Sequence, residues 1–283
     1  MLSPPPKSRS GGAINVLAAL LEARTGQQID ANREWRIETA LKPLLRERKL
    51  DTVDQLVGEI LHAGDPTVGD RVVDALLNQE TSFFRDAAVL DVVAQAIKEL
   101  AAPGLKRRLR VWSAGCSTGQ EPLSLAMLFN EQLGDVDQPE ILATDVSEAA
   151  LTRGRSGRYS QFEIQRGLAI RRMMQWFDNP DGEWVANPAL VRRINFRRLN
   201  LVADPLPIGR FDVILCRNVL LYLTAPVRVQ IFERFAQVIR PGGLLVLGAG
   251  ETVIGQTGAF RPSPTYRGLY EPAGVNSRAT AAA

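Results

Sequence analysis

The sequence predicts an α/β fold: a doubly wound parallel sheet that carries a small antiparallel β-subdomain and follows a small all-helical N-terminal domain. Before residue 79 the apolar residues recur only at helical spacing, whereas from Leu109 onward short apolar runs alternate with helical stretches. Such alternation predicts βαβ units with parallel strands. A third observation is a stretch of about 35 residues ahead of one strand, which is too long for a bare loop.

The composition indicates an ordinary globular protein. The chain has 283 residues, 45% hydrophobic and 23% charged, enough for one large domain or two modest ones, and we expect two. No apolar segment follows the basic residues near the N-terminus, and no run of about 18 apolar residues occurs, so we predict a cytoplasmic protein without direct membrane insertion. The net charge of +3 is small and does not imply binding to nucleic acid.

Histidine and cysteine are scarce. The single histidine, His62, leaves little basis for a Ser-His-Asp triad, a Cys-His pair or a multi-histidine metal site, and we expect it to be a plain helix-end residue. Cys116 and Cys216 lie in strand-like runs without the spacing of metal ligands or of a disulfide framework. We therefore predict reduced, structural cysteines and no metal cofactor.

The helical N-terminal domain is predicted over residues 12–78. It follows a disordered segment, residues 1–11, that is rich in Pro, Ser and basic side chains. Its helices are predicted from apolar stripes at helical spacing. One stripe runs from Ile37 to Leu45, and we expect Pro43 to interrupt that helix because proline has no N–H to donate.

Two further helices complete the predicted domain. Thr52 and Gln55 have the spacing of a capping box for a helix from Val53 to Leu61. A later stripe, Val72 to Leu77, predicts another helix. A linker and connecting helix are expected over residues 79–100.

The main α/β domain is predicted over residues 101–273, before a disordered tail, 274–283. Strands are expected at the apolar runs Leu109–Trp112, Ile141–Ala143, Phe211–Cys216 and Leu244–Gly248, and helices at about 120–133, 147–153 and 225–239. The insert, at about 157–195, should hold a helix over Leu168–Phe177 and a small antiparallel element before a strand that ends at Asn195 or Phe196.

The first two strands of this domain carry signals of a nucleotide-like ligand. The segment from Val111 to Glu121 is a strand that enters a turn containing Gly115 and opens a helix, a geometry that lets backbone approach a ligand closely. A tight turn without a ligand would look the same. Asp145 ends the second strand, where a carboxylate can accept both hydroxyls of a ribose. NAD and S-adenosylmethionine both remain possible at this point.

The next signals favour methyl transfer. The first turn lacks the G-x-G-x-x-G arrangement typical of nicotinamide cofactors, and no histidine lies nearby to act in hydride transfer. The strand at Phe211–Cys216 brings a polar cluster and Tyr222 to the carboxyl end of the sheet. It lacks the Asn/Asp-Pro-Pro-aromatic element typical of amino-directed nucleic-acid methyltransferases. We predict an S-adenosylmethionine-dependent methyltransferase with no nucleic-acid partner.

Five segments in order carry a family resemblance. They are Glu80–Asp86, Trp112–Gly119, Ala143–Val146, Phe211–Tyr222 and Leu244–Glu251, the last after Pro241-Gly242-Gly243. In these the chain resembles the CheR-type chemoreceptor methyltransferases, from about residue 14 to residue 272. The resemblance implies a Rossmann-like methyltransferase domain, S-adenosylmethionine as cofactor and S-adenosylhomocysteine as product. It also implies glutamate carboxylates of methyl-accepting chemotaxis receptors as the substrate.

The resemblance also implies roles for individual residues. Arg85 and Tyr222 are expected to face the methyl group. The expected cofactor contacts, which include the turn glycine Gly115, are Thr81, Arg85, Gly115, Glu121, Asp145, Asn200, Leu201, Arg217 and Asn218. One departure is that the family commonly has Asn two residues before the threonine, where this chain has Gln79 after Asn78. Structural alternatives are an ion pair of Arg85 with Asp86 or another surface carboxylate, and a buried Tyr222 whose hydroxyl is satisfied.

The expected partner is the cytoplasmic helical domain of the receptor. In the family a basic helix of the N-terminal domain contacts the acidic methylation region, and the matching candidates here are Arg33, Arg36, Lys42, Arg46 and Arg48. A solvated helix face is the alternative. Some family members also bind a receptor C-terminal peptide through a glycine-rich loop, but the turn at Asp178–Glu183 has one glycine, Gly182, so we predict independence of such a tether. Alternatives are a methyltransferase for a different small-molecule or protein acceptor, and a catalytically silent signalling module.

Overall fold

The computed structural model describes residues 10–29, 34–62, 66–101, 107–133 and 138–274. Internal contacts divide the chain into two compact units, residues 1–78 with 222–224 and residues 79–221 with 225–283. Apart from residues 10, 11 and 274, the two ends predicted to be disordered lie outside the described residues, as does the predicted docking residue Arg33. Within the described ranges, no helix is both long and apolar enough to cross a membrane.

The described part of the first unit contains four α-helices: α1, Ser10–Thr25; α2, Glu34–Arg48; α3, Val53–His62; and α4, Pro66–Leu76. Their apolar stripes meet in one core that buries Leu17, Leu41, Leu56 and Val72 completely. This burial stabilises helices that would be marginal alone in water. α1 begins two residues before the predicted start of the domain, so residues 10 and 11 are helical rather than disordered.

The predicted interruption at Pro43 is wrong, because α2 is continuous from Glu34 to Arg48. Proline at this position removes the hydrogen bond to the carbonyl of Thr39, a change that costs about 3 kcal/mol in a helix interior. The same helix fully buries Ile37 and Leu41 in the core of the unit. Burial of each such side chain contributes about 1.5–3 kcal/mol, which is enough to keep the helix intact.

The predicted signals around α3 are confirmed. The backbone N–H of Gln55 donates to Thr52 Oγ1 at 3.3 Å, and Gln55 Oε1 accepts from the backbone N–H of Thr52 at 3.2 Å, which completes the capping box. His62 is the last residue of α3, and its exposed ring places Nδ1 2.9 Å from the carbonyl oxygen of Gly58. It is a helix-end residue, as predicted.

A seven-stranded sheet forms the centre of the second unit. Its strands are β1, Arg110–Ala114; β2, Glu140–Asp145; β6, Ile194–Arg198; β7, Phe211–Cys216; β8, Ile239–Leu247; β9, Phe260–Pro262; and β10, Leu269–Pro272. They are ordered β6-β2-β1-β7-β8-β10-β9, the first five parallel and the last two antiparallel to their neighbours. The predicted α/β fold with a largely parallel, Rossmann-like sheet is confirmed.

Helices cover both faces of this sheet. They are α5, Ala87–Leu100; α6, Gln120–Leu133; α7, Glu148–Ser156; and α11, Ala225–Val238. Because side chains alternate along a strand, Val111 of β1 joins the core that includes α5 and α6. The next residue, Trp112, packs edge-to-face on Phe235 of α11 with ring centroids 5.3 Å apart.

The predicted antiparallel insert lies between α7 and β6. It contains β3, Arg158–Tyr159; β4, Phe177–Asp178; and β5, Trp184–Ala186, in the order β3-β5-β4, with short helices α8, Gln161–Gln165; α9, Ile170–Trp176; and α10, Pro188–Val191. The predicted helix over Leu168–Phe177 is shorter than expected, because Phe177 begins β4 instead. Tyr159 and Phe177 pack on Phe83 with centroids 5.0 and 5.5 Å away, which joins the insert to the segment before α5.

Both cysteines are buried and free, as predicted for structural thiols. Cys216 lies at the end of β7. Cys116 follows β1 in the turn rather than lying within a strand, because β1 ends at Ala114.

Candidate functional site

Polar groups from several strands meet at the carboxyl end of the parallel sheet. The strand order reverses at β1, which has β2 on one side and β7 on the other. Open α/β sheets bind ligands in the crevice at such a reversal. The turn after β1, Asp145 at the end of β2, Asn200 after β6 and Arg217 after β7 all belong to this edge.

The turn after β1 brings backbone rather than side chains to the crevice. Gly115, Ser117 and Gly119 have positive φ values of 80°, 49° and 93°. A Cβ at Gly115 would lie 2.4 Å from Cγ2 of Val219, so this position has no room for a side chain. The N–H of Gly115 donates to the carbonyl of Thr144 at 2.8 Å and joins the turn to β2. A non-glycine residue in the left-handed region, such as Ser117, is often found at a functional site.

Asp145 organises the two turns beside it. Its Oδ2 accepts from the backbone N–H of Ser117 at 2.8 Å, and its Oδ1 accepts from that of Ser147 at 3.0 Å. Ser147 in turn caps α7, because its Oγ accepts from the N–H of Ala150 at 3.1 Å. The half-buried carboxylate is thus held in place at the end of β2, where a ribose acceptor was predicted.

Arg217 is a buried link between three segments. Its side chain is 2% exposed, and its guanidinium donates to Glu121 Oε2 at 3.1 Å, to Asp86 Oδ2 at 2.5 Å and to the carbonyl of Arg85 at 2.9 Å. Glu121 also accepts from Ser113 Oγ at 2.7 Å. Since Asp86 pairs with Arg217, the alternative in which it is the ion-pair partner of Arg85 is wrong.

The segment that carries Thr81 and Arg85 is joined to the same turns. Ser117 Oγ donates to the carbonyl of Gln79 at 2.9 Å, and Gln79 Nε2 donates to Ser147 Oγ at 3.1 Å. Thr81 and Arg85 are both half-buried. Arg85 Nη1 donates to the carbonyl of Glu80 at 3.2 Å, and within the described part of the chain its guanidinium has no carboxylate partner.

Asn218 and Asn200 occupy tight turns after β7 and β6. Asn218 has a φ of 60°, and its side-chain Oδ1 is buried without a hydrogen-bond partner among the described residues. Asn200 Oδ1 accepts from the N–H of Val202 at 2.9 Å, and the N–H of Asn200 donates to Asp204 Oδ2 at 2.7 Å. Leu201 is half-buried in this turn. These contacts fix the backbone of Asn200, and the N–H of Asn218 is held by Oε2 of Glu251 at 2.8 Å.

Tyr222 belongs to the first unit. Its hydroxyl accepts a hydrogen bond from Asn78 Nδ2, and its carbonyl accepts from the N–H of Gln28 at 2.9 Å. The other predicted site residues, from Thr81 to Asn218, belong to the second unit. Of the two residues left undecided by the sequence, Asn78 hydrogen-bonds Tyr222 and Gln79 hydrogen-bonds Ser147.

The predicted docking residues on α2 differ in their surroundings. Lys42 and Arg46 are exposed, and neither has an ion-pair partner among the residues that the structure describes. Arg36 is half-buried and lines a cavity of about 90 Å³ in the first unit. Arg48 Nε donates to Glu59 Oε2 at 2.5 Å, so its charge is partly neutralised.

The two buried thiols both have raised pKa values. Burial raises the pKa of Cys216, and the nearby carboxylates of Glu251 and Glu121 raise it further. The pKa of Cys116 is raised by burial and then by Asp145 and Glu121.

The residues present fit S-adenosylmethionine, the predicted cofactor. Asp145 places carboxylate oxygens at the end of β2, the kind of acceptor that a diol requires, and the glycine turn at Gly115 lies beside it. Two buried polar atoms, Asn218 Oδ1 and Arg217 Nε, lack partners within the described chain. Buried polar atoms are normally hydrogen-bonded, so such atoms in a crevice are suited to a ligand. Among the described residues, no group of three or more His, Cys, Asp or Glu is arranged to hold a metal ion.

The sequence analysis did not select three residues that shape the site. Ser117 and Asp86 have left-handed backbones, a property that a serine or an aspartate does not reveal in sequence. Glu251 accepts hydrogen bonds from the loop after β7. A usable signal existed for Glu251, since a carboxylate that follows Gly248 and Gly250 at the end of an apolar strand lies at the ligand edge of the sheet.

Comparison with known proteins gives consistent matches. Residues 79–269 match the family profile described as CheR methyltransferase, SAM binding domain. The chain is 35% identical over 242 residues, 83% of its length and 88% of the relative, to chemotaxis protein methyltransferase Cher2 of Pseudomonas putida. It is 34% identical to chemotaxis protein methyltransferase 1 of Pseudomonas aeruginosa, covering 87% of this chain and 92% of that one. Chemotaxis protein methyltransferase 1 of Vibrio cholerae is 33% identical, with 85% and 89% covered.

Proposed function

Because this chain belongs to the CheR methyltransferase family, we propose that it transfers the methyl group of S-adenosylmethionine to glutamate side chains of chemoreceptors. The products are glutamyl methyl esters and S-adenosylhomocysteine. The observation that carries this proposal is the match to relatives named chemotaxis protein methyltransferases over 83–87% of the chain. The crevice described above supports the choice of cofactor.

The chemistry requires positioning more than proton transfer. When bound, S-adenosylmethionine supplies a methyl group on a positively charged sulfur. A glutamate has a pKa of about 4.3 in a model peptide, so it is already ionised at neutral pH and needs no general base. One carboxylate oxygen bonds to the methyl carbon while the carbon–sulfur bond breaks and its electron pair stays on sulfur. The chain's task is to align the acceptor within about 3–3.5 Å and to exclude water.

Arg85 is proposed to orient the acceptor carboxylate. A guanidinium presents a planar fork of donors that matches the two oxygens of a carboxylate. The contact of Arg85 with the Glu80 carbonyl uses Nη1, and no carboxylate of the described chain engages it. The bond from Arg217 to the carbonyl of Arg85, at 2.9 Å, supports a fixed backbone at this residue.

Tyr222 is proposed to donate a hydrogen bond to the acceptor. Its hydroxyl oxygen already accepts from Asn78, so the hydroxyl hydrogen is directed elsewhere. A neutral donor orients a carboxylate with less ground-state stabilisation than a second cation would give.

The cofactor is proposed to lie along the second unit's crevice. Asp145 would accept from the ribose hydroxyls, while Glu121 and Arg217 would define the polar end of the pocket. The backbone at Gly115 and the turns that carry Asn200, Leu201 and Asn218 would complete it, with Thr81 and Arg85 contributing from the preceding segment.

Receptor docking is proposed for the exposed basic residues of α2. Lys42 and Arg46 are exposed cations without an acidic partner in the described chain, as a surface for an acidic helical bundle would require. Arg36 belongs to the same helix and is half-buried. Arg48 is a weaker candidate because it pairs with Glu59.

Docking is also proposed to be independent of a receptor C-terminal peptide. The turn between β4 and β5 has one glycine, Gly182, and its residues are exposed. Receptor lacking its last residues should be methylated at the same rate as full-length receptor. A rate that falls on this truncation would show that the enzyme uses a tether.

The experiment for the proposed function is incubation with methyl-labelled S-adenosylmethionine and membranes that contain chemoreceptors. Label should enter the receptor band and should be absent with membranes from a receptor-deficient strain. Labelling of a different protein or of a small molecule would redirect the proposal to another acceptor. Binding of the cofactor with no labelled product would indicate a catalytically silent member.

A further inference from the structure

The carboxylate of Glu251 accepts hydrogen bonds from five backbone N–H groups, which lie in two loops at the carboxyl edge of the sheet. Oε1 accepts from the N–H groups of Val219 at 3.0 Å, Leu220 at 2.7 Å and Leu221 at 3.3 Å. Oε2 accepts from those of Asn218 and Gly248, each at 2.8 Å. The N–H of Glu251 itself donates to the carbonyl of Gly248 at 2.9 Å. One side chain thus joins the loop after β7 to the loop after β8.

No cation balances this carboxylate. Among the described residues Glu251 takes part in no ion pair, so its charge is stabilised by the N–H groups alone. Two of the donors, Leu220 and Leu221, open the short 3₁₀ helix Leu220–Tyr222, and Val219 directly precedes it. The first N–H groups of a helix have no partner within the helix. The arrangement needs an anion, because each oxygen must accept from every donor that faces it.

The same contacts fix Asn218 in an unusual backbone conformation. Its φ of 60° lies in the left-handed region, which asparagine tolerates but does not prefer. A Cβ at Gly248 would lie 2.8 Å from both the nitrogen of Asn218 and Oε2 of Glu251, so the two loops touch without room for a side chain. The buried Asn218 Oδ1 has no partner in the described chain.

We propose that Glu251 is a positioning residue of the cofactor site. It holds the Asn218 backbone so that the carboxamide is fixed in the crevice, and it acts through Asn218 without touching the ligand. The inference rests on the proposed place of Asn218 at the cofactor, and it does not depend on which acceptor is methylated.

Glu251→Gln is the most direct substitution. Glutamine has nearly the same shape as glutamate but carries an NH₂ group in place of one carboxylate oxygen. This NH₂ group would face the backbone N–H donors of one loop, and two donors cannot hydrogen-bond to each other. We expect the affinity for S-adenosylhomocysteine to fall about tenfold, the scale of a lost charged hydrogen bond. Glu233 is an exposed glutamate of α11, and Glu233→Gln is the matched control that should bind as the wild type does.

A double-mutant cycle separates positioning from a general structural role. S-adenosylhomocysteine binding is measured by calorimetry for the wild type, Glu251→Gln, Asn218→Ala and the double variant, with unfolding midpoints recorded for each. If Glu251 acts through Asn218, adding Glu251→Gln to Asn218→Ala should cost less than about threefold, because coupled residues are not additive. Additive losses would overturn the proposal.

Other outcomes are equally decisive. Glu251→Gln with a lowered unfolding midpoint and unchanged affinity would make Glu251 purely structural, and Asn218→Ala with wild-type affinity would leave nothing to position. If Glu251→Gln does not fold, Glu251→Asp keeps the charge on a shorter side chain and enters the same cycle with the same criterion. These measurements use no receptor, so their failure is distinct from failure of the proposed acceptor.

Discussion

At the scale of single residues, Asp145 is the residue that most directly joins the fold to the proposed cofactor site. The carboxylate ends β2 and accepts the N–H groups of Ser117 and Ser147. Asp145→Asn removes the charge and turns one acceptor into a donor. Affinity for S-adenosylhomocysteine should fall by about 1–3 kcal/mol in calorimetry, the scale of a hydrogen bond to a charged group.

The control for Asp145 is an aspartate without a site role. Asp178→Asn makes the same chemical change at an exposed residue of the insert and should leave the affinity for S-adenosylhomocysteine unchanged. NAD should give no heat with either variant or with the wild type. Undiminished binding by Asp145→Asn would remove Asp145 from the cofactor site.

Tyr222 separates chemistry from binding. Tyr222→Phe removes the proposed donor to the acceptor but no proposed cofactor contact, so kcat should fall about tenfold while cofactor affinity stays constant. Single-turnover methylation with saturating cofactor measures the step directly. Tyr270→Phe removes a hydroxyl that donates to Thr252 at 3.2 Å and serves as the control. A wild-type rate for Tyr222→Phe would exclude its hydroxyl from the reaction.

At the scale of elements, α2 carries the prediction on docking. Lys42→Glu with Arg46→Glu should raise the KM for receptor severalfold and steepen the loss of activity with salt, because exposed charges act mainly on encounter. Lys98→Glu reverses an exposed charge on α5 and is the control. Cofactor affinity should stay unchanged in both. A receptor KM equal to the wild-type value would show that the basic side chains of α2 form only a solvated surface.

Helices and strands could be predicted from the sequence where hydrophobic periodicity is strong or turn residues mark their ends. The helix Gln120–Leu133 and the strand Phe211–Cys216 match the prediction residue for residue, since each is a long apolar run bounded by turn residues. Strands of two or three residues, such as Phe177–Asp178, carry no period and could not be placed. Pro43 misled the prediction because tertiary burial outweighed a local penalty.

Site residues were harder to interpret than elements. The motifs indicated Asp145 and Arg217 as polar groups at the ligand edge, but not their partners. Arg217 pairs with Glu121 and Asp86, which are 96 and 131 positions away in the chain, and local patterns do not report such pairs. The left-handed backbones of Ser117 and Asn218 are imposed by hydrogen bonds from other segments and leave no trace in residue type.

At the scale of the whole molecule, the family match and the proposed docking residues fall in different parts of the chain. The match covers residues 79–269, whereas α2 spans Glu34–Arg48. The profile match therefore falls on the second unit apart from residues 222–224, and it leaves the acceptor as a separate question. The class of bond formed answers it, because a carboxylate acceptor gives an ester and a nitrogen or carbon acceptor does not.

The most direct test is therefore the alkali stability of the labelled product. Receptor-containing membranes are incubated with the protein and methyl-labelled S-adenosylmethionine, and the washed product is treated with mild alkali. A glutamyl methyl ester should release the label as volatile methanol, and none should be released from a reaction without the protein. Label that stays on the receptor after alkali would contradict glutamate methylation, because N-methyl and C-methyl groups survive this treatment.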